Sequence, residues 1–451
     1  MRFKFPTSEY AMPIRSIAGI VLVAASFLML NCERKNKPLA DHQLMDSLAR
    51  EYVKLGLKIG QFDADFVDAY YGPDSLKPAL DKQTVFPKDS LLEEVQTLKT
   101  TLLTLSEQTV NDTLRSRATW IGKQLTGFER RIQIFTGNHG SFDDESRDLF
   151  DAVAPEYPEE HFKSLISELD QLIPGKKSLQ ERYENLAKKF LIPENKIDTV
   201  FRAAIAEARK LTLQHYKLPE NESFTLEYVR DKPWSGYNWY QGDYKSIIQI
   251  NVSQPIFIER AIDLACHEGY PGHHVFNVLL EKNLYRDKAW PEVSLYPLFS
   301  PQSLIAEGSA NYGISVAFPD QQQEQFCKTV LLPLAGLDTT HIHAYFKAMA
   351  VRSKLSYTRN EVARGILSGN MSDQEGLRWL SQYCLLTPKG ASDYLRFIKK
   401  YRSYVINYNY GQDLVRKYIE SDPTGTTTAE DRWKLFETLL RNQFTASDLT
   451  R

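Results

Sequence analysis

Cysteine is scarce, four in 451 residues, which excludes a fold built on disulfides. Charge of one sign is missing as well. Lys and Arg number 55 against 57 Asp and Glu, so the formal net charge is 55 − 57 = −2, and no local basic run redresses the balance. A nucleic-acid binder needs such a surplus or stripe, so nucleic acid is excluded as a partner. The chain also lacks a repeat of fixed period, a low-complexity tract and an apolar run long enough to span a bilayer. What remains, 42% hydrophobic and 25% charged residues, is the composition of a folded globular chain with room for a large core.

Arg2, Lys4 and Arg15 flank an uncharged run from Ser16 to Leu30. Fifteen helical residues cover about 22 Å at roughly 1.5 Å each, short of the ~30 Å hydrocarbon core, so residues 1–31 read as an export signal. The run ends at Asn31-Cys32 before a polar stretch. This arrangement resembles a bacterial lipoprotein signal, which implies a lipid on Cys32, a membrane anchor, and a mature chain facing the periplasm or the exterior. Asn31 departs from the small residue usual before that cysteine, and simple signal cleavage is the alternative. Three thiols then remain, Cys266, Cys327 and Cys384; an odd number leaves at least one free. Cys266, in an apolar helical run, reads as a small buried residue.

Residues 32–43 read as a linker and 44–223 as a helical N-terminal lobe. Apolar residues recur at helical spacing over Leu44–Leu57, Leu91–Leu105, Leu114–Phe135, His161–Leu172, Leu179–Phe190 and Ile197–Leu213, while Val67–Asp74 (VDAYYGPD) carries turn signals. At Phe224 the texture changes. Aromatic and β-branched residues punctuated by Gly236 and Gly242 predict a small antiparallel sheet to Val252, with Ser246–Val252 a half-exposed strand able to pair at its edge with an extended peptide. Pro255 then opens a helix into a histidine cluster. Ser300-Pro301 caps another, and Ala429–Leu440 forms the last, giving a second lobe over 224–451.

The cluster is HEGYPGHH, His267 to His274, three of nine histidines beside a carboxylate. In His-Glu-x-x-His the two imidazoles share a helix face while the glutamate addresses the metal-bound water. Here Pro271 occupies the position four residues after His267. Pro271 cannot donate to the helix and Gly272 tolerates unusual backbone angles, so a kink is predicted that swings His273 toward His267. His274, seven residues on, points to nearly the same side of an ideal helix but about 10 Å along its axis, so His273 is favoured and His274 is the alternative. A third ligand is needed. Glu307, in SPQSLIAEGSANYG, is flanked by Ala306, Gly308 and Ser309, small residues that permit close helix approach, and a carboxylate there would otherwise be buried unpaired.

HEGYPGHH together with LIAEGSANYG resembles the bacterial domain-of-unknown-function 885 family, with VDAYYGP, RRIQIFTG, SFDDES, YPLFSPQSLIAEG and YVINYNYGQDLVRKYIE as further landmarks across most of residues 45–420. The resemblance implies a mainly α, large helical zincin-like fold with a small antiparallel sheet next to the active-site helix, similar in pattern to helical metallopeptidases. In the dipeptidyl-peptidase III group the motif also carries an insertion and a glycine before the second ligand, which again favours His273. Ser309 stands where many members of the 885 family have Trp.

The expected function is a Zn²⁺-dependent hydrolase, a peptidase acting on peptide amide bonds or another small amide. His267, His273 and Glu307 hold the ion, and Glu268 is the general base. Among Tyr404, Tyr408 and Tyr410, the last is preferred as oxyanion donor because it adjoins Gly411. His341 and His343 read as structural. Two alternatives stay open: an exported binding lipoprotein with a vestigial metal site, and a metal-dependent hydrolase of a non-peptide amide or ester. Exo- and endo-cleavage are equally compatible with these residues.

Overall fold

The structure is a computed structural model that describes residues 39–79, 85–232, 234–421 and 427–450. The export signal and Cys32 lie outside these residues. Among the described residues no helix is long and apolar enough to cross a membrane.

The chain is mainly helical, as expected. Helix α1 covers 39–60; it begins inside the span read as a linker and takes in the helix expected over Leu44–Leu57. A short strand β1 (Val67–Tyr70) follows, where turn signals had pointed to a loop. Then come α2 (Lys88–Gln108), α3 (Asp112–Phe135), α4 (Phe142–Phe150), α5 (Glu159–Leu172), α6 (Leu179–Ala187) and α7 (Ile197–Leu213). Local chemistry starts several of these. Asn111 accepts hydrogen bonds from the amides of Thr113 and Leu114, and Ser141 accepts from Asp144; both satisfy amides that a helix start leaves without partners. Along α3 the buried Leu114, Ala118, Ile121, Leu125, Phe128 and Ile132 recur every three or four residues, which turns one face inward.

Strands β2 (Ser223–Val229), β3 (Gly236–Gly242) and β4 (Lys245–Asn251) form the predicted sheet, in the order β2-β4-β3. Its pairing is mixed. β3 and β4 are antiparallel, but β2 runs parallel to β4, with Leu226 opposite Ile248. The strand expected at the edge is therefore the central one, hydrogen-bonded on both sides, and β2 and β3 hold the edges. A second, two-stranded sheet pairs β1 with β5 (Leu295–Pro297).

Helix α8 (Ile258–Leu264) leads into the histidine segment and α9 (His273–Leu280) leaves it. Helix α10 (Pro301–Ala317) is buried at 14 of its 17 residues. A helix buried on nearly every side belongs at the centre of a core, and most of its polar residues, Glu307 among them, are buried with it. Ser300 caps α10 through the Ser303 amide and Pro301 occupies its first turn. Seven helices follow: α11 (Gln322–Phe326), α12 (Leu332–Ala335), α13 (Ile342–Lys354), α14 (Thr358–Leu367), α15 (Asp373–Tyr383), α16 (Pro388–Tyr401) and α17 (Ile406–Glu420). Helix α18 (Ala429–Leu440) is the last.

Two hydrophobic cores are present. The smaller runs from Met45 to Ile132 and takes in Leu295; the larger runs from Ile134 to Leu449. The two cores thus meet near residue 133, and α4 to α7 bury their apolar faces in the larger one. The three cysteines Cys266, Cys327 and Cys384 are free and buried. His343 pairs at the surface with Glu324 at 3.1 Å, and His341 precedes α13.

A candidate metal centre

The histidine segment is a helix broken in a defined way. After Leu264 the chain widens into a π turn over Ala265–Gly269, then Tyr270 becomes extended and is joined to Pro271 by a cis peptide bond. Pro271 has no amide to give. The amides on either side reach back instead, Tyr270 to the Ala265 carbonyl at 3.0 Å and Gly272 to the Cys266 carbonyl at 2.9 Å. Only glycine fits at 272, since a β-carbon there would stand 2.1 Å from the His267 carbonyl oxygen. The new helix α9 starts immediately at His273.

The distortion brings His273 Nε2 to 3.2 Å from His267 Nε2. Glu307 projects from α10 onto the same point, its Oε2 3.5 Å from His267 Nε2 and 3.8 Å from His273 Nε2. One oxygen of Glu268 also lies within 4.8 Å of the two histidines. His274 turns away. It is fully buried, with Nδ1 2.8 Å from Ser246 Oγ and Nε2 3.0 Å from Glu222 Oε2. That Ser-His-Glu chain has the connectivity of a hydrolase triad, but Ser246 is 3% exposed on the central strand and offers no access to a substrate.

Several contacts orient the converging groups. Asn311 donates from Nδ2 to the Tyr408 carbonyl at 3.0 Å, which leaves its Oδ1 to accept from His267 Nδ1 at 3.1 Å. His267 is then protonated on Nδ1 and turns Nε2 toward the site. Glu307 Oε1 accepts from the Tyr404 hydroxyl at 3.1 Å. Its Oε2 is buried without a hydrogen-bond partner. The approach of α10 to α17 is closest at Gly308 and Gly411, where a β-carbon on Gly308 would sit 2.4 Å from the Gly411 carbonyl oxygen. The small residues beside Glu307 thus serve contact with α17 rather than with the histidine segment.

Electrostatics separate the roles of these groups. Burial, followed by the neighbouring His267, pushes His273 down to about 4, so it is neutral at pH 7. Burial raises Glu307, but His267, His273 and Tyr404 outweigh it and hold the carboxylate ionised. Glu268 is 5% exposed and, among the described residues, its carboxylate accepts no hydrogen bond. Burial, with smaller contributions from Glu307 and Asp68, lifts it to about 7 against the pull of His267 and Arg260. A carboxylate poised near neutrality can take and return a proton. Gly236 of β3 makes room for it, since a β-carbon there would lie 3.0 Å from Glu268 Oε1.

The donor set fits a zinc ion. Ligands held at ~2.0–2.1 Å in a tetrahedron stand about 3.3 Å apart, and the three nitrogen and oxygen atoms are separated by 3.2, 3.5 and 3.8 Å. Two imidazole nitrogens and an ionised carboxylate oxygen are the donors such an ion takes, with a fourth position left open. Burial lowers His267, but Glu307 and Glu268 outweigh it and raise the imidazole, so its Nε2 proton would leave on metal binding.

Tyr410 does not join this group. Its ring is half-buried with Asp413 and Tyr157 as neighbours, whereas Tyr404 reaches Glu307 and Tyr408 feels the charge of both Glu307 and Glu268. Asp68 and Tyr237, not anticipated from sequence, also border the site. The Tyr237 hydroxyl donates to Asp68, which burial raises to about 6 with Glu307 adding to the effect. Asp68 sits in the VDAYYGP landmark, the one signal that could have pointed to it.

No family model matches the chain, and no curated protein matches it. Among solved structures, a candidate lipoprotein from Colwellia psychrerythraea is similar at 13% identity over 80% of this chain and 68% of its own, with a TM-score of 0.50. The M32 carboxypeptidase from Deinococcus radiodurans R1 has 10% identity over 91% and 94% of the two chains and a TM-score of 0.44. A candidate lipoprotein of unknown function from Shewanella oneidensis has 13% identity over 79% and 73%, at 0.43. At such identities the likeness is one of fold. This chain shares its mainly helical architecture with the Colwellia protein.

Proposed function

We propose that the chain is a zinc-dependent hydrolase of peptide amide bonds in which His267, His273 and Glu307 hold the ion and Glu268 is the general base. The observation that carries this reading is the unpartnered, buried Oε2 of Glu307, facing two imidazole nitrogens at the edge lengths of a zinc tetrahedron. Bound there, zinc would polarise the scissile carbonyl and acidify a water molecule. Glu268 receives the water's proton and passes it to the leaving amine, a task suited to a carboxyl raised to about 7. Asn311 fixes the tautomer of His267, and Tyr404 fixes the rotation of Glu307. For negative charge developing on the substrate oxygen, Tyr408 is the donor of choice; it is 37% exposed beside Glu307 and Glu268.

Glu268 also weighs against a vestigial site. An unpaired buried carboxylate costs several kcal/mol of desolvation, on the order of the penalty for any uncompensated buried charge. A binding protein without chemistry gains nothing from keeping it.

In this reading the enzyme acts outside the cytoplasm, delivered by the signal at 1–31 and anchored through Cys32. Zinc content and hydrolysis of a peptide library, measured on wild type, Glu268→Gln and Glu307→Ala, test the function. The expected result is about one zinc in wild type and in Glu268→Gln, turnover only in wild type, and neither metal nor turnover in Glu307→Ala. A wild type that holds zinc but cleaves only non-peptide amides or esters would redirect the substrate class. One that takes up no zinc would overturn the reading.

A further inference from the structure

The landmarks RRIQIFTG and SFDDES lie more than a hundred residues before the metal-ligand candidates and contribute none of them. The structure joins both to one side chain, Tyr404. Helix α16 ends at Tyr401, and the chain must reverse before α17 begins at Ile406. It does so at Arg402, whose φ of 55° and ψ of −123° belong to glycine rather than to an arginine. A non-glycine residue held there is strained and persists only when its surroundings over-determine it.

The over-determining contact is Glu145 of SFDDES. Its carboxylate, fully buried, takes a two-pronged ion pair from Arg402, Nε to Oε2 at 2.7 Å and Nη2 to Oε1 at 2.8 Å. The Gly140 amide donates to the same carboxylate at 3.1 Å, which fixes it from behind. Two residues beyond Arg402, Tyr404 is gripped on both sides. Phe150, from the same helix as Glu145, meets its ring edge-on at 5.9 Å, and Phe299 does so at 6.0 Å. Phe299 is covered in turn by the Arg131 guanidinium of RRIQIFTG at 3.8 Å, itself locked to Asp63. In this packing the Tyr404 hydroxyl accepts from Ser303 Oγ at 3.4 Å and donates to Glu307 Oε1, which leaves Oε2 to face the imidazoles.

We propose that Glu145 and Arg402 are positioning residues for the metal ligand Glu307, acting through Tyr404. This rests on the metal reading above. The strained turn aims the tyrosine, and the tyrosine selects which carboxylate oxygen addresses the ion. An alternative use of the same ion pair is plain cohesion between α4 and the α16–α17 turn. That would stabilise the fold without reaching the metal.

The two uses separate in a double-mutant cycle read on zinc affinity, by competition with a chromophoric chelator, and on the visible spectrum of the Co²⁺-substituted protein. Loss of an outer partner of a ligand weakens metal binding by about 10- to 100-fold, which is the expected effect of Tyr404→Phe. Glu145→Gln is expected to weaken zinc in the same direction and to shift the Co²⁺ bands as Tyr404→Phe does. The double variant should bind no more weakly than Tyr404→Phe alone. Arg402→Gly guards against misfolding, because glycine accepts the turn without strain while removing the guanidinium; it should stay folded and still lose zinc affinity. Glu145→Gln and Arg402→Gly proteins that melt earlier but bind zinc as tightly as wild type would overturn the proposal, as would losses that multiply with Tyr404→Phe. If wild type itself binds neither zinc nor Co²⁺, the metal reading fails, and the proposal with it.

Discussion

The site is assembled from two segments that solve the same problem in opposite ways. Residues 265–274 place their imidazoles by giving up regular helix, through a π turn, an extended residue and a fresh helix start. Helix α10 places Glu307 by remaining regular and shedding side-chain volume until its backbone almost touches that of α17. One depends on local backbone geometry, the other on long-range packing. Their failures should therefore differ, the first costing metal and the second costing the fold.

Substitution of Gly308 is the strongest blow to the packed half. A β-carbon 2.4 Å from the Gly411 carbonyl oxygen forces α10 and α17 apart, so Gly308→Ala is expected to lose about 3 kcal/mol or more in urea unfolding. Next comes acid. Burial raises Glu222, but hydrogen bonds from His274, Tyr270 and Arg209 more than reverse this and hold it at about 2 against an ordinary 4.5. A depressed carboxylate stabilises the fold above its unfolded pKa, and that stability drains as pH falls from about 4.5 toward 2. The loss is about 3 kcal/mol, and Glu222→Gln should show correspondingly less acid dependence between those limits. Such a loss would show that the Glu222–His274 contact helps to anchor the histidine half.

Gly272→Ala addresses the distorted half directly. Its β-carbon would clash with the carbonyl of His267 itself, within a short segment that can shift. About 2 kcal/mol of stability and most of the zinc affinity are expected to go. Equal damage to folding from Gly272→Ala and Gly308→Ala, with zinc retained in the former, would erase the distinction between the two segments. The smallest effect is at their junction. Asn311→Ala removes the acceptor that sets the His267 tautomer, and about a tenfold loss of zinc affinity is expected in a chelator competition, with an unchanged melting temperature.

The distorted half was the more legible of the two in sequence. Pro271 and Gly272 declare a break by their own chemistry, and the break alone orients His273 and His274 differently. Glu307 was legible as a buried carboxylate among small residues, but not the partner those small residues admit, because α17 is about a hundred residues away. The tyrosines show the limit most clearly. In YVINYNYG only the adjoining Gly411 set Tyr410 apart, whereas the tyrosine that reaches Glu307 is Tyr404, a choice made by the packing around the turn at Arg402. The sheet follows the same rule. Alternation marked the strands, but their order depends on β2 joining β4 in parallel rather than pairing with its sequence neighbour β3. Likewise the apolar cover that α4 to α7 find in the larger core is a property of the assembled chain.

Diffraction from crystals soaked in zinc, recorded on both sides of the zinc absorption edge, tests the central assignment most directly. An anomalous peak is expected about 2.0–2.2 Å from His267 Nε2, His273 Nε2 and Glu307 Oε2, with Glu268 outside bonding distance. A peak on Glu268 or His274, or no peak at this site at full zinc occupancy elsewhere, would contradict it.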